Sequence, residues 1–335
     1  MVYVIIFLCL LAIVLYWLST IPVCQECISG NYKPRSGINH KDKKNDNLPD
    51  KIYLVDSNFT EPSASKYCPA DMMPFQWTRV DHASQIPEGS LVVYTDRHLK
   101  EATKQHVNVA WILEPGVIDS NPYGQIFDHD VRKMYHKILN FDHSFLRGLE
   151  DKGFWVPNAM CWVDPNLKAP KEKEHKITFI GSQKKRSLGH KIRHDIARQF
   201  SDDVEIHGAI AGKPFKHKSD VLFPSRFHIE VENCKREGYF SEKLIDALHS
   251  ECIVLYWGDE KIVSQIFNMK SIWCWDTLKE LDALAEKALS MTEEEYQSYL
   301  PSIKENSDIA FDYICPERFL VEPLTRVWHE YLKKQ

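Results

Sequence analysis

Five residues between positions 232 and 243 have side chains suited to a ligand that is both hydroxylated and anionic: Glu232, Asn233, Tyr239, Glu242 and Lys243. A carboxylate, an amide, a phenol and an ammonium within a dozen residues can hold a sugar hydroxyl and a diphosphate together. They lie in FHIEVENCKREGYFSEKLIDALHSECIVLYWG (227–258), which reads as an apolar strand, a polar loop, a helix and a second apolar strand. Ligands bind at such junctions in parallel α/β sheets, because loop groups and the helix N-terminus converge there. Without a ligand, the same residues make a helix capped by Ser241, with Glu242 and Lys243 as solvated charges.

Further candidates lie upstream. Arg193, in GHKIR, and Lys243 each read as a cation at the start of a helix that follows a strand, where it adds to the helix dipole in attracting phosphate. Lys184, Lys185 and Arg186 are nearby alternatives, and as a charge run they fit a solvated surface better. Glu114 closes the strand NVAWILEP, so its carboxylate projects from the C-terminal edge of a sheet and is the candidate general base. His190 is a rival base by its pKa class, although in GHKIR it fits better as a loop-ordering residue beside the phosphates. Asp128-His129-Asp130 could ligate a divalent metal, but it sits in a helical pattern and not at the end of an apolar strand. Glu232 also has a structural reading, as a carboxylate paired with Lys243 or Arg193.

These residues need a scaffold of parallel strands. Of 335 residues, 44% are hydrophobic and 27% charged, an ordinary globular composition with room for two domains. A net charge of -5 and a pI near 6.3 argue against a generic nucleic-acid binder. KIYLVD (51–56), SLVVYTD (90–96), VNVAWILEP (107–115) and KILNFD (137–142) read as strands of a first domain, with HLKEATKQH (98–106) and residues 130–136 as helices between them. KITFIG (176–181), VEIHG (204–208), FHIEVEN (227–233), CIVLYWG (252–258) and SIWCWD (271–276) read as strands of a second. GHKIRHDIARQF (189–200), SEKLIDALHSE (241–251) and TLKELDALAEKALS (277–290) are its crossover helices. Alternating strands and helices predict parallel sheets built from βαβ units. The polar, Pro-containing stretch 164–176 marks an interdomain link. Near the C-terminus, Leu324, Val327, Trp328, Tyr331 and Leu332 form a helical stripe behind Pro323, a closing helix that packs on a domain.

The order E-N, Y-F-S-E-K-L, helix, then CIVLYWG resembles the donor-binding signature of the α-1,3-fucosyltransferases, glycosyltransferase family ten. That signature reads E-N-S, a Tyr, then T-E-K or S-E-K before a strand ending in Gly; here Cys234 stands in the Ser position. A second block, 177–200, is similar to the family's strand ending in Ser, basic loop and helix with Arg, while WILEP (111–115) matches its first-domain strand only loosely. The resemblance implies a GT-B fold, two Rossmann-like domains facing a cleft. It also implies inverting transfer of fucose from GDP-fucose to a glycan or glycoprotein hydroxyl. Arg193 and Lys243 would then meet the diphosphate. Asn233, Tyr239 and Glu242, with Glu232 beside them, would contact the donor, and Glu114 would be the base. Cationic side chains can neutralise the leaving group, so this mechanism requires no metal. Another nucleotide sugar on the same fold stays open, as does a catalytically silent glycan-binding membrane protein.

The domain division that follows is a transmembrane signal anchor at 1–20, a flexible stem at 21–50, an acceptor-side domain at 51–165, a nucleotide-sugar domain at 170–305 and closing helices at 306–335. Residues 2–18 are uncharged and almost wholly apolar, long enough for a short span and without the basic n-region of a cleaved signal. Lys33, Arg35, Lys41, Lys43 and Lys44 would keep the following side cytoplasmic by the positive-inside rule. The resemblance implies the opposite, a type II Golgi protein with a lumenal catalytic region, and the sequon Asn58-Phe59-Thr60 is compatible with that. The nine cysteines leave the disulfide pattern open. Cys24 and Cys27 have no second pair for a zinc site, and Cys252 and Cys274 read as buried, inert thiols.

Overall fold

The computed structural model describes residues 47–335 apart from 58, 60 and 61. The apolar run at 2–18, the stem up to residue 46, Cys9, Cys24, Cys27 and two residues of the sequon lie outside the described residues. Among the described residues no helix is long and apolar enough to cross a membrane.

The first half is a sheet of six strands: β1 (Ile52–Val55), β2 (Trp77–Arg79), β3 (Leu91–Thr95), β4 (Val107–Trp111), β5 (Lys137–Asn140) and β6 (Gly153–Trp155). Their order is β2-β1-β3-β4-β5-β6 and every pairing is parallel. Three short helices connect them: α1 (Asn121–Phe127), α2 (His129–Arg132) and α3 (His143–Arg147). The second half is a five-stranded parallel sheet of β7 (Glu174–Ile180), β8 (Val204–His207), β9 (Ser225–Val231), β10 (Ile253–Trp257) and β11 (Ile272–Cys274), in the order β11-β10-β9-β7-β8. Its helices are α4 (Leu188–Gln199), α5 (Ser219–Leu222), α6 (Glu242–His249), α7 (Glu260–Ile266), α8 (Leu278–Ser290) and α9 (Glu293–Asp312).

Both sheets are buried on two faces, as parallel sheets must be. Along β1, β3 and β4, residues 52, 54, 91, 93, 107 and 109 pack into one core, and 53, 55, 92, 94 and 110 into another. In β10 the same alternation sends Ile253, Leu255 and Trp257 to one face and Val254 and Tyr256 to the other. The closing helix α10 (Val321–Leu332) returns from the second half and places Leu324 and Val327 in the core of the first sheet.

Three readings need correction. HLKEATKQH is not a helix: a 3-10 segment covers Asp96–Glu101 and the chain then runs as loop. The reason is tertiary. His106 is buried against Tyr94 Oη at 3.2 Å, and the Asn108 amide donates to Thr103 O and Met134 O, which pins residues 103–106 in place. The polar link ends at residue 173, because β7 already begins at Glu174. The strands β2 and β6 and the twenty-residue α9, with Pro301 inside it, were not expected. Three-residue edge strands show no period to read, and an interior proline reads as a helix stop.

Candidate active site

The site is built on the C-terminal end of β9 and the N-terminus of α6. Leaving β9, the chain makes a tight loop whose close approaches need glycine. A Cβ on Gly238, at φ +89°, would meet Phe141 O at 2.4 Å. That loop is wedged against the first sheet: Trp155 Nε1 donates to Gly238 O at 3.3 Å, His143 N to Glu237 O at 2.9 Å, and Arg147 Nη1 to Glu237 Oε2 at 2.8 Å. The residues between β9 and α6 therefore touch both halves.

Glu232 is fully buried, and both of its carboxylate oxygens are turned onto the helix cap: Ser241 N donates at 2.8 Å and Ser241 Oγ at 2.6 Å. Burial pushes its carboxyl to about 7 against the pull of Lys243. The partner of this carboxylate is therefore Ser241 and not Lys243 or Arg193. Ser241 caps α6 by accepting from Lys243 N. Glu242 follows and pairs with Lys243 Nζ at 2.8 Å. Burial opposes its charge, but Lys243 and Lys218 outweigh that and hold the carboxyl at about 2, so it stays an ionised acceptor.

Arg193 is buried, but it lies on the second turn of α4, which begins at Leu188, and not at the helix start. Its guanidinium donates through Nε to Val231 O at 3.0 Å, through Nη2 to the same carbonyl, and through Nη2 to Asn233 Oδ1 at 3.2 Å. It thus fixes the end of β9 and the orientation of Asn233. Tyr239 is 1% exposed, its ring 4.6 Å from Phe141, with Cys234 completing the cluster. Burial first, then the surrounding carboxylates Glu232, Glu242 and Glu114, push its phenol up.

Glu114 follows the end of β4 and faces this group from the first sheet. Its side chain reaches solvent, yet protein from both halves crowds it. Burial raises the carboxyl, Glu242 raises it further, and Lys243 and Lys184 oppose both. Glu242, Lys243 and Lys184 of the second half thus act on Glu114 from across the junction of the two sheets. A carboxylate with a raised pKa is a stronger base, which is what proton abstraction from a hydroxyl requires.

Sequence reading missed several supports. Asp96, buried at the end of β3 with φ +29°, accepts from Leu113 N at 3.0 Å and so holds the backbone that carries Glu114. Burial takes its carboxyl to about 7. The signal was present: SLVVYTD carries an acid at its strand end as WILEP carries Glu114, one strand over. Asp246, on the buried face of α6, accepts Lys218 Nζ at 2.6 Å and Trp162 N at 2.7 Å, tying α6 to the segment that joins the halves. Gly189 lets α4 meet the end of β9, because a Cβ there would lie 1.8 Å from Glu232 O. The Asp128 carboxylate accepts Asp130 N at 2.8 Å and caps α2, while the exposed Asp130 pairs with Lys133. Among the described residues no group of three or more His, Cys, Asp or Glu could hold a metal ion.

No protein-family model matches the chain. A crystal structure described as α1,3-fucosyltransferase with GDP superimposes with a TM-score of 0.52, covering 88% of this chain and 93% of that one at 16% identity. A second α1,3-fucosyltransferase crystal structure gives 0.50, covering 84% and 92%, also at 16% identity. An α-(1,3)-fucosyltransferase from Helicobacter pylori is 38% identical over 60 residues, which is 18% of this chain and 12% of the relative. The chain resembles the α-1,3-fucosyltransferases. With the fucosyltransferase structures it shares a GT-B-like α/β fold, two parallel sheets with helices on both faces. The match to the curated fucosyltransferase spans about an eighth of that protein's length.

Proposed function

We propose that this protein is an inverting glycosyltransferase that moves fucose from GDP-fucose to a hydroxyl of a glycan acceptor. The observation that carries the reading is Glu114 at the C-terminal edge of the first sheet, with Glu242 and Lys243 at the N-terminus of α6 close enough for their charges to act on it. The likeness in fold to a fucosyltransferase that binds GDP, and the local identity to an α-(1,3)-fucosyltransferase, support the donor. In this reading Glu114 takes the proton of the acceptor hydroxyl as its oxygen attacks the anomeric carbon. The bond from that carbon to the diphosphate oxygen breaks, its electron pair leaving with GDP. Lys243 and Arg193 stabilise the departing charge, Asn233 is held by Arg193 for the donor, and Glu242 accepts from donor hydroxyls. Tyr239 forms an apolar wall beside them. No metal is required for this scheme. A hollow of about 600 Å³ opens at the C-terminal ends of β1 and β2, the same sheet edge as Glu114, with Phe59 and Arg79 among its walls. It is the proposed seat of the acceptor. Residues 2–18 are proposed as a type II anchor that places the cleft in the Golgi lumen.

The test is donor hydrolysis and transfer across a panel of nucleotide sugars in EDTA, beside Lys243→Ala. Turnover of GDP-fucose that persists in EDTA and collapses in Lys243→Ala supports donor and mechanism together. Selective use of another donor moves the specificity, and binding without turnover of any donor makes the protein a glycan-binding relative.

A further inference from the structure

We propose that His190 contacts the diphosphate: its Nε2–H donates to a phosphate oxygen of the donor, and the ring takes up a proton as that anion arrives, an inference that rests on the nucleotide-diphosphate reading above. His190 is the third residue of α4, a helix of twelve residues, and is 3% exposed. Ser187, the cap, accepts from His190 N at 3.2 Å, and its Oγ lies 2.9 Å from Nδ1. In the tautomer we propose, the Ser187 hydroxyl donates to Nδ1, its acceptor among the described residues. The proton of the neutral ring therefore sits on Nε2. Among the described residues no group accepts that proton.

The charges that act most on the ring are cationic, and Lys243 among them is itself paired with Glu242 at 2.8 Å. Arg193 and His194 come from α4 itself, Lys184 from the loop after β7, and Lys243 from α6. The carboxylate of Glu232, whose carbonyl packs on Gly189, is turned onto Ser241 instead. A largely buried imidazole at a helix N-terminus, with Arg193, Lys184 and Lys243 acting on it, thus suits the approach of an anion. Burial, and then those cations, hold the imidazole at about 4. A diphosphate reverses both the sign and the size of that field. A solvent proton then adds to Nδ1, the Ser187 hydroxyl turns to accept it, and the imidazolium keeps Nε2–H on the phosphate. When GDP leaves, the proton leaves with it. The positive charge is therefore present while the anion is bound and absent when the product must go.

The experiment is calorimetric titration of GDP into the full chain near pH 6, in buffers of different ionisation enthalpy, with His190→Gln alongside. The wild type should take up several tenths of a proton more than His190→Gln, a difference that vanishes by about pH 8. A charged hydrogen bond exceeds a neutral one by about 1 kcal/mol, so His190→Gln should bind GDP about fivefold more weakly at pH 6. Histidine-labelled wild type provides a check without mutation: the His190 resonance, assigned by its loss in His190→Gln, should titrate higher with GDP than without. GDP binding with equal proton uptake in both proteins, or with an unmoved His190 titration, overturns the inference and leaves the donor reading standing. Failure of GDP to bind the wild type removes both.

Discussion

At the scale of single residues, the cleft works because burial and neighbouring charge drive similar groups apart. Glu242 and Glu232 lie ten residues apart at the ends of one loop, yet one is held at about 2 and the other near 7. The first stays an anion beside Lys243 and Lys218, while the second shares its environment with Ser241. Glu114 is raised by burial and then by Glu242. Its base form is lost as pH falls through that raised value, so the acid limb of kcat/KM should lie above the ordinary 4.5 of a glutamate. Glu114→Gln should lower kcat by roughly 100-fold or more, the size of a general-base contribution, with GDP affinity unchanged. Steady-state kinetics with GDP titration checks both; a parallel loss of GDP binding would make Glu114 a structural residue. The identities of these residues were legible in the sequence, but their roles were less so. The sequence carries no sign that both oxygens of Glu232 are occupied by Ser241, a contact set by a turn with Gly238 in positive φ. Arg193 looked like a helix-start cation because the cap at Ser187 lies two residues before the GHKIR run.

At the scale of elements, the central strands were legible because each is a β-rich apolar run that both faces of a parallel sheet demand. The loop at 102–106 was not, because a helical pattern there yields to the buried His106 and Asn108 contacts. The junction of α4 with β9 depends on one such unreadable contact. Gly189 has an ordinary φ, so nothing in local conformation asks for glycine; the demand comes from Glu232 O, 1.8 Å from where a Cβ would stand. Backbone cannot move aside as a side-chain tip can. Gly189→Ala should therefore push the N-terminus of α4 away from β9, at about 1–3 kcal/mol, and carry His190 and Arg193 with it. Thermal unfolding should show a lower Tm, and GDP should bind at least several-fold more weakly. Gly124→Ala is the control: it lies in α1 with nothing within 4 Å, and alanine there should be neutral or slightly stabilising. Equal behaviour of the two variants would remove the packing role of Gly189.

At the scale of the whole molecule, the two sheets are joined by more than the covalent link at 156–173. The chain crosses back after α9, and the crossing is clasped by Glu317. This carboxylate is fully buried, and it accepts Ser63 Oγ at 2.7 Å, Ala64 N at 2.8 Å and Trp77 Nε1 at 3.4 Å. Ser65 extends the clasp: its Oγ donates to Ile314 O and accepts Cys161 N. Residues 63–65 and β2 belong to the first half, whereas 314–317 follow the last helix of the second. From Cys315 onward the chain runs into α10, whose Leu324 and Val327 complete the first core. An acid in CPER, far from any motif, gave no sequence sign of such a role. Removing it strands two or three buried donors, each costing about 1–3 kcal/mol. Glu317→Ala should therefore lower Tm by several degrees while leaving donor hydrolysis intact at temperatures where the protein stays folded. It should also loosen α10 together with residues 63–65. Hydrogen exchange reads this directly, because the amides of 321–332 and of β1 should lose protection together, ahead of those in β9 and β10. Uniform loss across both sheets would mean the halves unfold as one body without the clasp setting the order. Unchanged protection of α10 would show that its apolar contacts with the first sheet hold it without Glu317.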